Sequence, residues 1–246
     1  MSFYRHLSNH YDDIFPINPT QVAFLSSTFA GKKTILDIGA GTGTTAIALE
    51  KAGYSVTALE YDESMIEKIH EKTKQISIVN GDMRDLNKLF SSFFDAIYCV
   101  GNTLVHLRDK QEIQDVLSQC YSLLNDDGVL VLQIVNYNRV LSQSVSSLPT
   151  ITIPSKSISF ERGYSRKGVH ICFQGTLRIE DSEYTEKTLL YPLRKSEMFD
   201  LLETAGFTNI SAFGSFKNDL FKENESPALV ITAQKAFYNQ KNSEKK

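Results

Sequence analysis

The stretch Ile35–Leu49, ILDIGAGTGTTAIAL, decides how this chain is read. A short apolar run breaks into glycine at positions 39, 41 and 43, then resumes as an apolar pattern at helical spacing. Ordering three glycines in five positions is costly, so the chain must need open backbone there. A strand handing over to a helix through such a loop lets a ligand touch the main chain. In open α/β sheets, ligands bind outside the carboxyl ends of the strands, where the strand order reverses. The loop carrying Gly39, Gly41 and Gly43 is therefore read as a cofactor site.

Outward from this loop, short segments rich in Val, Ile, Leu and Tyr predict strands over Lys33–Ile38, Tyr54–Glu60, Ile76–Asn80, Phe94–Val100 and Gly128–Val135. Helical patterns lie between them at Thr44–Lys51, Glu63–Lys74 and Lys110–Leu124, the last carrying Ile113, Val116, Leu117 and Cys120 on one face. Two more helices, Phe3–Ile14 and Pro19–Phe29, precede the first strand. Such alternation predicts a parallel sheet covered on both faces. The pattern changes after Asn136. Residues Ile151–Tyr191 alternate as an antiparallel meander, Pro192 ends it, and Lys195–Ala205 is an amphipathic helix closed by Gly206. Strands at Thr208–Phe213 and Ala228–Ala233 finish the fold.

Composition narrows the function. A net charge of −3 gives no global reason to expect nucleic acid as a partner. Cys99, Cys120 and Cys172 are odd in number and lack C-x-x-C pairing, which predicts reduced thiols in a cytoplasmic protein and no zinc site. No apolar run reaches the roughly 20 residues of a membrane helix, and no His/Asp/Glu cluster has metal-ligand spacing.

The loop spacing bears on the cofactor. A dinucleotide fingerprint, G-x-G-x-x-G, would place its third glycine at Thr44. The sequence reads G-x-G-x-G instead, with Asp37 in the strand before it. Glu60, ending the second strand, could hydrogen-bond both hydroxyls of a ribose in either cofactor class. The third strand ends in Asn80-Gly81-Asp82-Met83, where Asp82 could accept an adenine amino group while Met83 packs on the ring. A phosphate loop is excluded, because no Gly-Lys-Ser/Thr follows.

LDIGAGTGTTAIAL, ALEYDESMI, NGDMRDL and FDAIYCVGNTLVHL together resemble the successive motifs of class I S-adenosylmethionine-dependent methyltransferases. The resemblance covers essentially the whole chain. It implies an α/β fold: a seven-stranded, mostly parallel, doubly wound Rossmann-like sheet whose last strand is antiparallel, with an antiparallel β insert after strand five. By the same resemblance Gly39, Ala40 and Gly41 approach the methionine portion of the cofactor and Asp37 its ammonium. Glu60 holds the ribose, Tyr61 and Met65 pack near the adenosine, and Gly81, Asp82 and Met83 lie at the adenine.

CVGNTLVHL, QIVNYNRVL and KTLLYP resemble stretches of the glycine and sarcosine N-methyltransferase subgroup. That resemblance implies Val100, Gly101, Asn102 and His106 beside cofactor or substrate, Asn136 and Tyr137 at the acceptor, and Tyr11 reaching in from an N-terminal lid. Lys187 stands where the subgroup has a carboxylate-binding arginine, and a lysine lacks that planar, bidentate fork. In the meander, Arg162, Tyr164, Arg178 and Tyr191 could bind a polar or anionic acceptor; equally, the arginines could pair with Glu161, Glu180 and Glu183. His106 could instead cap a short helix, and Tyr137 could be a core tyrosine.

The expected organisation is a helical lid at residues 1–30, a cofactor-binding core at 31–139 and 192–236, an insert at 140–191 covering the acceptor, and a disordered tail at 237–246. The expected function is methyl transfer from S-adenosylmethionine, leaving S-adenosylhomocysteine, to a small polar acceptor with nitrogen favoured, and with no nucleic-acid or membrane partner. The rivals are an NAD-dependent oxidoreductase and a silent cofactor-binding module.

Overall fold

The computed structural model describes residues 3–236, and the tail expected at 237–246 lies outside them. In chain order the elements are α1 (Phe3–Ile14), α2 (Pro19–Thr28), β1 (Thr34–Ile38), α3 (Thr44–Lys51), β2 (Ser55–Glu60), α4 (Glu63–Lys72), β3 (Ser77–Asn80), α5 (Leu86–Leu89), β4 (Phe94–Cys99), α6 (Lys110–Leu123), β5 (Leu124–Val135) and α7 (Tyr137–Ser142). There follow β6 (Ser147–Ile153), β7 (Ile158–Lys167), β8 (His170–Ile179), β9 (Ser182–Leu190), α8 (Lys195–Ala205), β10 (Phe207–Phe213) and β11 (Ala228–Lys235). Helix starts follow local chemistry. Asn18, Asp62 and Asp109 each accept two backbone amides at the first turns of α2, α4 and α6.

The seven-stranded sheet runs β10-β11-β5-β4-β1-β2-β3. Strand β1 pairs in parallel with both β2 and β4, so the chain reverses direction of travel across the sheet at β1. Strand β11 is antiparallel to both its neighbours. Alternation along the strands sorts the core. Leu36, Ile38, Ile97 and Cys99 face one layer containing α6 and α8, whereas Ile35, Ala96 and Tyr98 face α2 and α3.

A second, antiparallel sheet, β6-β7-β8-β9, is inserted after β5 and α7. Helix α1 packs on it: Leu7 and Ile14 share a cluster with Ile158, Phe160 and Leu177, and His6 stacks on Tyr184 at 3.7 Å between ring centroids. Lys156 and Asp13 add an ion pair at 2.7 Å.

Several elements depart from expectation, among them the short helix α5, which the sequence pattern did not mark. The inserted sheet has an extra strand, β6, on its edge, where its Pro149 is tolerated. A six-residue helix, α7, follows Asn136, whose side chain accepts the Arg139 amide at 3.3 Å. Strand β5 starts at Leu124 rather than Gly128, passing through polar Asn125–Asp127 with a shifted register against β4 and a positive φ at Asp127. Helix α4 stops at Lys72 because Thr73 is extended. Among the described residues, no helix is long and apolar enough to cross a membrane.

Candidate active site

At the carboxyl ends of β1 to β4, where the strand order reverses, lies a cleft of about 520 Å³, a size suited to a nucleoside-bearing small molecule. Gly39 and Gly41 form one wall and Leu59 to Asp62 the next. Met65 lies on the floor with Gly81 to Arg84, and Gly101, Thr103, His106, Leu107, Arg108 and Glu112 close the far side. Leu7 and Tyr11 of α1 form the roof.

The glycine loop is pinned to β2. The Gly39 and Ala40 amides both donate to the Leu59 carbonyl, at 2.9 and 3.1 Å. Gly39 has φ +74°, and a Cβ there would collide with Thr103 Cγ2, so only glycine lets the β1 and β4 loops approach. Gly41 has φ +57° and lies under the Tyr11 ring, which would be 3.6 Å from an added Cβ. Gly43 serves elsewhere, capping α3 against Ile69 of α4 without lining the cleft.

Glu60 ends β2 inside the cleft and holds its own loops. Its Oε2 accepts the Gly41 amide at 2.6 Å, and Oε1 accepts the Tyr61 and Asp62 amides at 2.8 and 3.0 Å. Burial raises its pKa above the ordinary carboxylate range, only partly offset by those three donors. Tyr61 stands exposed on the rim and Met65 is buried below it.

Asp82 is less free than its position suggests. It caps the turn Met83–Asp85 and is gripped by Arg84, with Nε at 3.0 Å and Nη2 at 2.6 Å. This contact, first of all, holds its carboxyl below the usual range. Arg84 was missed from the sequence, although it sits two residues from a carboxylate at a strand end.

Asp37 is 2% exposed and lies behind the lining. Burial, assisted by the charge of Glu60, raises its pKa to about 7. Its register partner on β4 is Tyr98, whose buried hydroxyl lies beside the carboxyl without reaching hydrogen-bond geometry to any described group.

After β4, Gly101 and Thr103 line the cleft but Val100 and Asn102 do not. Asn102 adopts φ +69°; its Oδ1 accepts the Val135 amide at 2.9 Å and its Nδ2 donates to Tyr137 Oη at 3.1 Å. Tyr137, 1% exposed, is a core tyrosine with a satisfied hydroxyl. Both residues brace the loop from behind. His106 does face the cleft, and desolvation pulls its pKa below the ordinary imidazole value, leaving it neutral at pH 7.

The acceptor residues expected from the insert fall elsewhere. Asn136 is fully buried and clamps the Glu223 and Ser226 carbonyls, at 2.9 Å each. Arg178 pairs on the surface with Glu161 at 2.5 Å and Glu183 at 2.8 Å, so the arginine–glutamate alternative holds for it. Lys187 is exposed on β9, in register with Gln174. Tyr191 bonds Glu197 at 3.3 Å and lines a separate cavity of about 270 Å³. Tyr164 is buried close to Tyr137, and Arg162 donates to the Pro149 carbonyl at 2.8 Å. None of these lines the main cleft. Thr103 and Leu107, inside the CVGNTLVHL stretch but not singled out there, do, as do Leu7, Arg108 and Glu112, which no motif marks.

The residues present fit a sulfonium nucleoside. Open glycine backbone faces the cleft, Glu60 stands at its middle, and Leu59, Met65, Met83 and Leu107 supply apolar surface for a purine.

Comparison with known proteins agrees. Residues 35–128 match the methyltransferase domain family. Over 212 residues the chain is 29% identical to the glycine/sarcosine/dimethylglycine N-methyltransferase of Actinopolyspora halophila, covering 84% of this chain and 37% of that protein. It is also 29% identical to the glycine/sarcosine N-methyltransferase of Aphanothece halophytica, covering 83% of this chain and 77% of that one. An S-adenosylmethionine-dependent methyltransferase from Clostridium acetobutylicum shares the architecture with a TM-score of 0.81 at 14% identity, over 95% of this chain and 99% of that one. Motif, sheet order and relatives converge: they support a class I S-adenosylmethionine-dependent methyltransferase, with S-adenosylmethionine as the cofactor.

Proposed function

We propose that the chain transfers the cofactor's methyl group to the nitrogen of a small, polar, amino-acid-like acceptor in a cytoplasmic setting. One observation supports the choice of nitrogen: the relatives that align over more than four fifths of this chain are N-methyltransferases by name. A neutral amine needs no strong base at the moment of attack, so His106, which faces the cleft, is assigned to orienting it. Three free cysteines fit a reducing compartment.

S-adenosylmethionine supplies an electrophilic methyl carbon whose sulfur leaves with the bonding pair. The chain's own residues position and enclose. Gly39, Ala40 and Gly41 offer main chain to the methionine end, with Asp37 as the buried counter-charge for an ammonium. Glu60 receives the ribose hydroxyls on the oxygens that now hold the loop. Tyr61, Met65, Gly81 and Met83 flank the base, and Asp82 reads its amino group while shared with Arg84. Tyr11, Thr103 and His106 hold the acceptor, braced by Asn102 and Tyr137. Positioning of this kind can supply roughly 7–11 kcal/mol. Residues 1–30 and the insert act as a cover that excludes water.

The test has two arms. Calorimetry with S-adenosylhomocysteine should show binding. Isotopic methyl transfer should label a member of a panel of amino acids and small amines, with mass spectrometry placing the methyl on nitrogen. Tighter binding of NAD, or label on oxygen alone, would overturn the proposal.

A further inference from the structure

Helix α1 packs on α4 through Leu7, Ile14 and Met65, and one of its carboxylates reaches the glycine loop. Asp12 Oδ1 accepts the Thr42 hydroxyl at 2.5 Å and the Thr44 hydroxyl at 2.9 Å. Its other oxygen pairs with Lys72, the last residue of α4, which also donates to the Thr42 carbonyl at 2.9 Å. Thr44 opens α3, whose N-cap, Gly43, has no side chain to cap with. Asp12 thus places negative charge at the start of a helix that lacks its own cap. Burial alone would raise the Asp12 pKa, yet Lys72 and the two hydroxyls hold it below the ordinary range, so the carboxylate is ionised.

The neighbouring residue gives this network its consequence. Tyr11 lies in the cleft lining directly over Gly41, so its ring covers a molecule seated on the glycine backbone. Other ties of α1 run to the insert: His6 to Tyr184 and Asp13 to Lys156. A second tie to the core, Arg5 with Glu67 at 3.7 Å, joins two exposed side chains and contributes little. Asp12 is thus the residue through which α1 engages the glycine loop and the start of α3, next to the apolar packing of Leu7 and Ile14 on Met65.

We propose that Asp12 is a positioning residue that latches Tyr11 over the glycine loop, and that its parting from Thr42, Thr44 and Lys72 gates departure of the spent nucleoside. The inference rests on the methyltransferase reading and adds to it the control of product release.

The experiment measures dissociation of labelled S-adenosylhomocysteine by chase, using the full chain. Losing charged hydrogen bonds predicts release about 10–100-fold faster in Asp12→Ala. Asp12→Asn, which keeps the shape but loses the charge opposite Lys72, should fall between it and wild type. In a Tyr11→Ala background the Asp12→Ala effect should largely vanish, because the latch acts through that ring. An equal acceleration with or without Tyr11 overturns the proposal. So does a lowered melting temperature with unchanged release, which marks a structural role alone. Absence of binding by wild type removes the methyltransferase reading along with the latch; binding with unaltered release in both Asp12 variants removes the latch only.

Discussion

Glu60 Oε2 accepts the Gly41 amide at 2.6 Å, so the side chain proposed to hold the ribose also shapes the loop beneath the methionine end. Both roles fall on one carboxylate. Glu60→Ala should weaken S-adenosylhomocysteine binding by about 10–100-fold, as expected for loss of charged hydrogen bonds. Glu60→Gln, which keeps one acceptor oxygen, should lose less. Titration calorimetry checks the order, and an unchanged affinity in Glu60→Ala would remove this residue from the cofactor site.

Asp37 makes stability depend on pH. Its pKa in the folded chain is raised to about 7 by burial, well above the ordinary carboxylate range. Between that range and about pH 7 the native chain therefore binds more protons than the unfolded one, and stability falls as pH rises. Above that window the penalty is constant. Asp37→Asn abolishes it, so the variant should gain on wild type in urea midpoint as pH climbs to about 7 and hold a fixed lead beyond. A lead independent of pH would contradict the assignment.

His106 separates the two acceptor chemistries. Neutral at pH 7, it can orient an amine or accept a proton from a hydroxyl. For an amine acceptor, His106→Gln should reduce kcat by less than about tenfold, whereas a required general base would be worth about 10²–10⁴-fold. Steady-state rates on the labelled acceptor decide between them, with cofactor affinity measured alongside.

Asn102 and Tyr137 form a brace whose loss should appear in stability. Asn102→Ala leaves the Val135 amide unpaired, takes a partner from the Tyr137 hydroxyl and puts alanine at a positive φ. A loss of about 2–4 kcal/mol follows. Tyr137→Phe removes one hydrogen bond and should lose about 1 kcal/mol. Urea unfolding of both variants tests the ranking.

The sheet was legible from sequence because its signals are local. Apolar runs ending in glycine or an acid mark β1, β2 and β3, and the same endings name Gly39, Gly41, Glu60 and Asp82. Side-chain direction in the insert was not legible. Arg178 and Lys187 sit on strands where one register step moves a residue to the opposite face, and only the packed sheet shows that Arg178 meets Glu161 and Glu183. Asn136 and Tyr137 were marked by motif, yet their burial depends on the Glu223–Ser226 loop returning from far along the chain. Leu7 carries no signal at all; a leucine in a cleft wall reads like one in a core.

Helix α1 leans on the insert through residues far apart in sequence: Asp13 and Lys156 are 143 positions apart, and His6 shares a stacked face with Tyr184. The opening helix and the central hairpins are thus matched surfaces of one chain. A chimaera that imports a foreign insert to alter acceptor preference would strand an imidazole and a carboxylate on the native helix. Grafting both segments as a matched pair is the exchange this architecture permits.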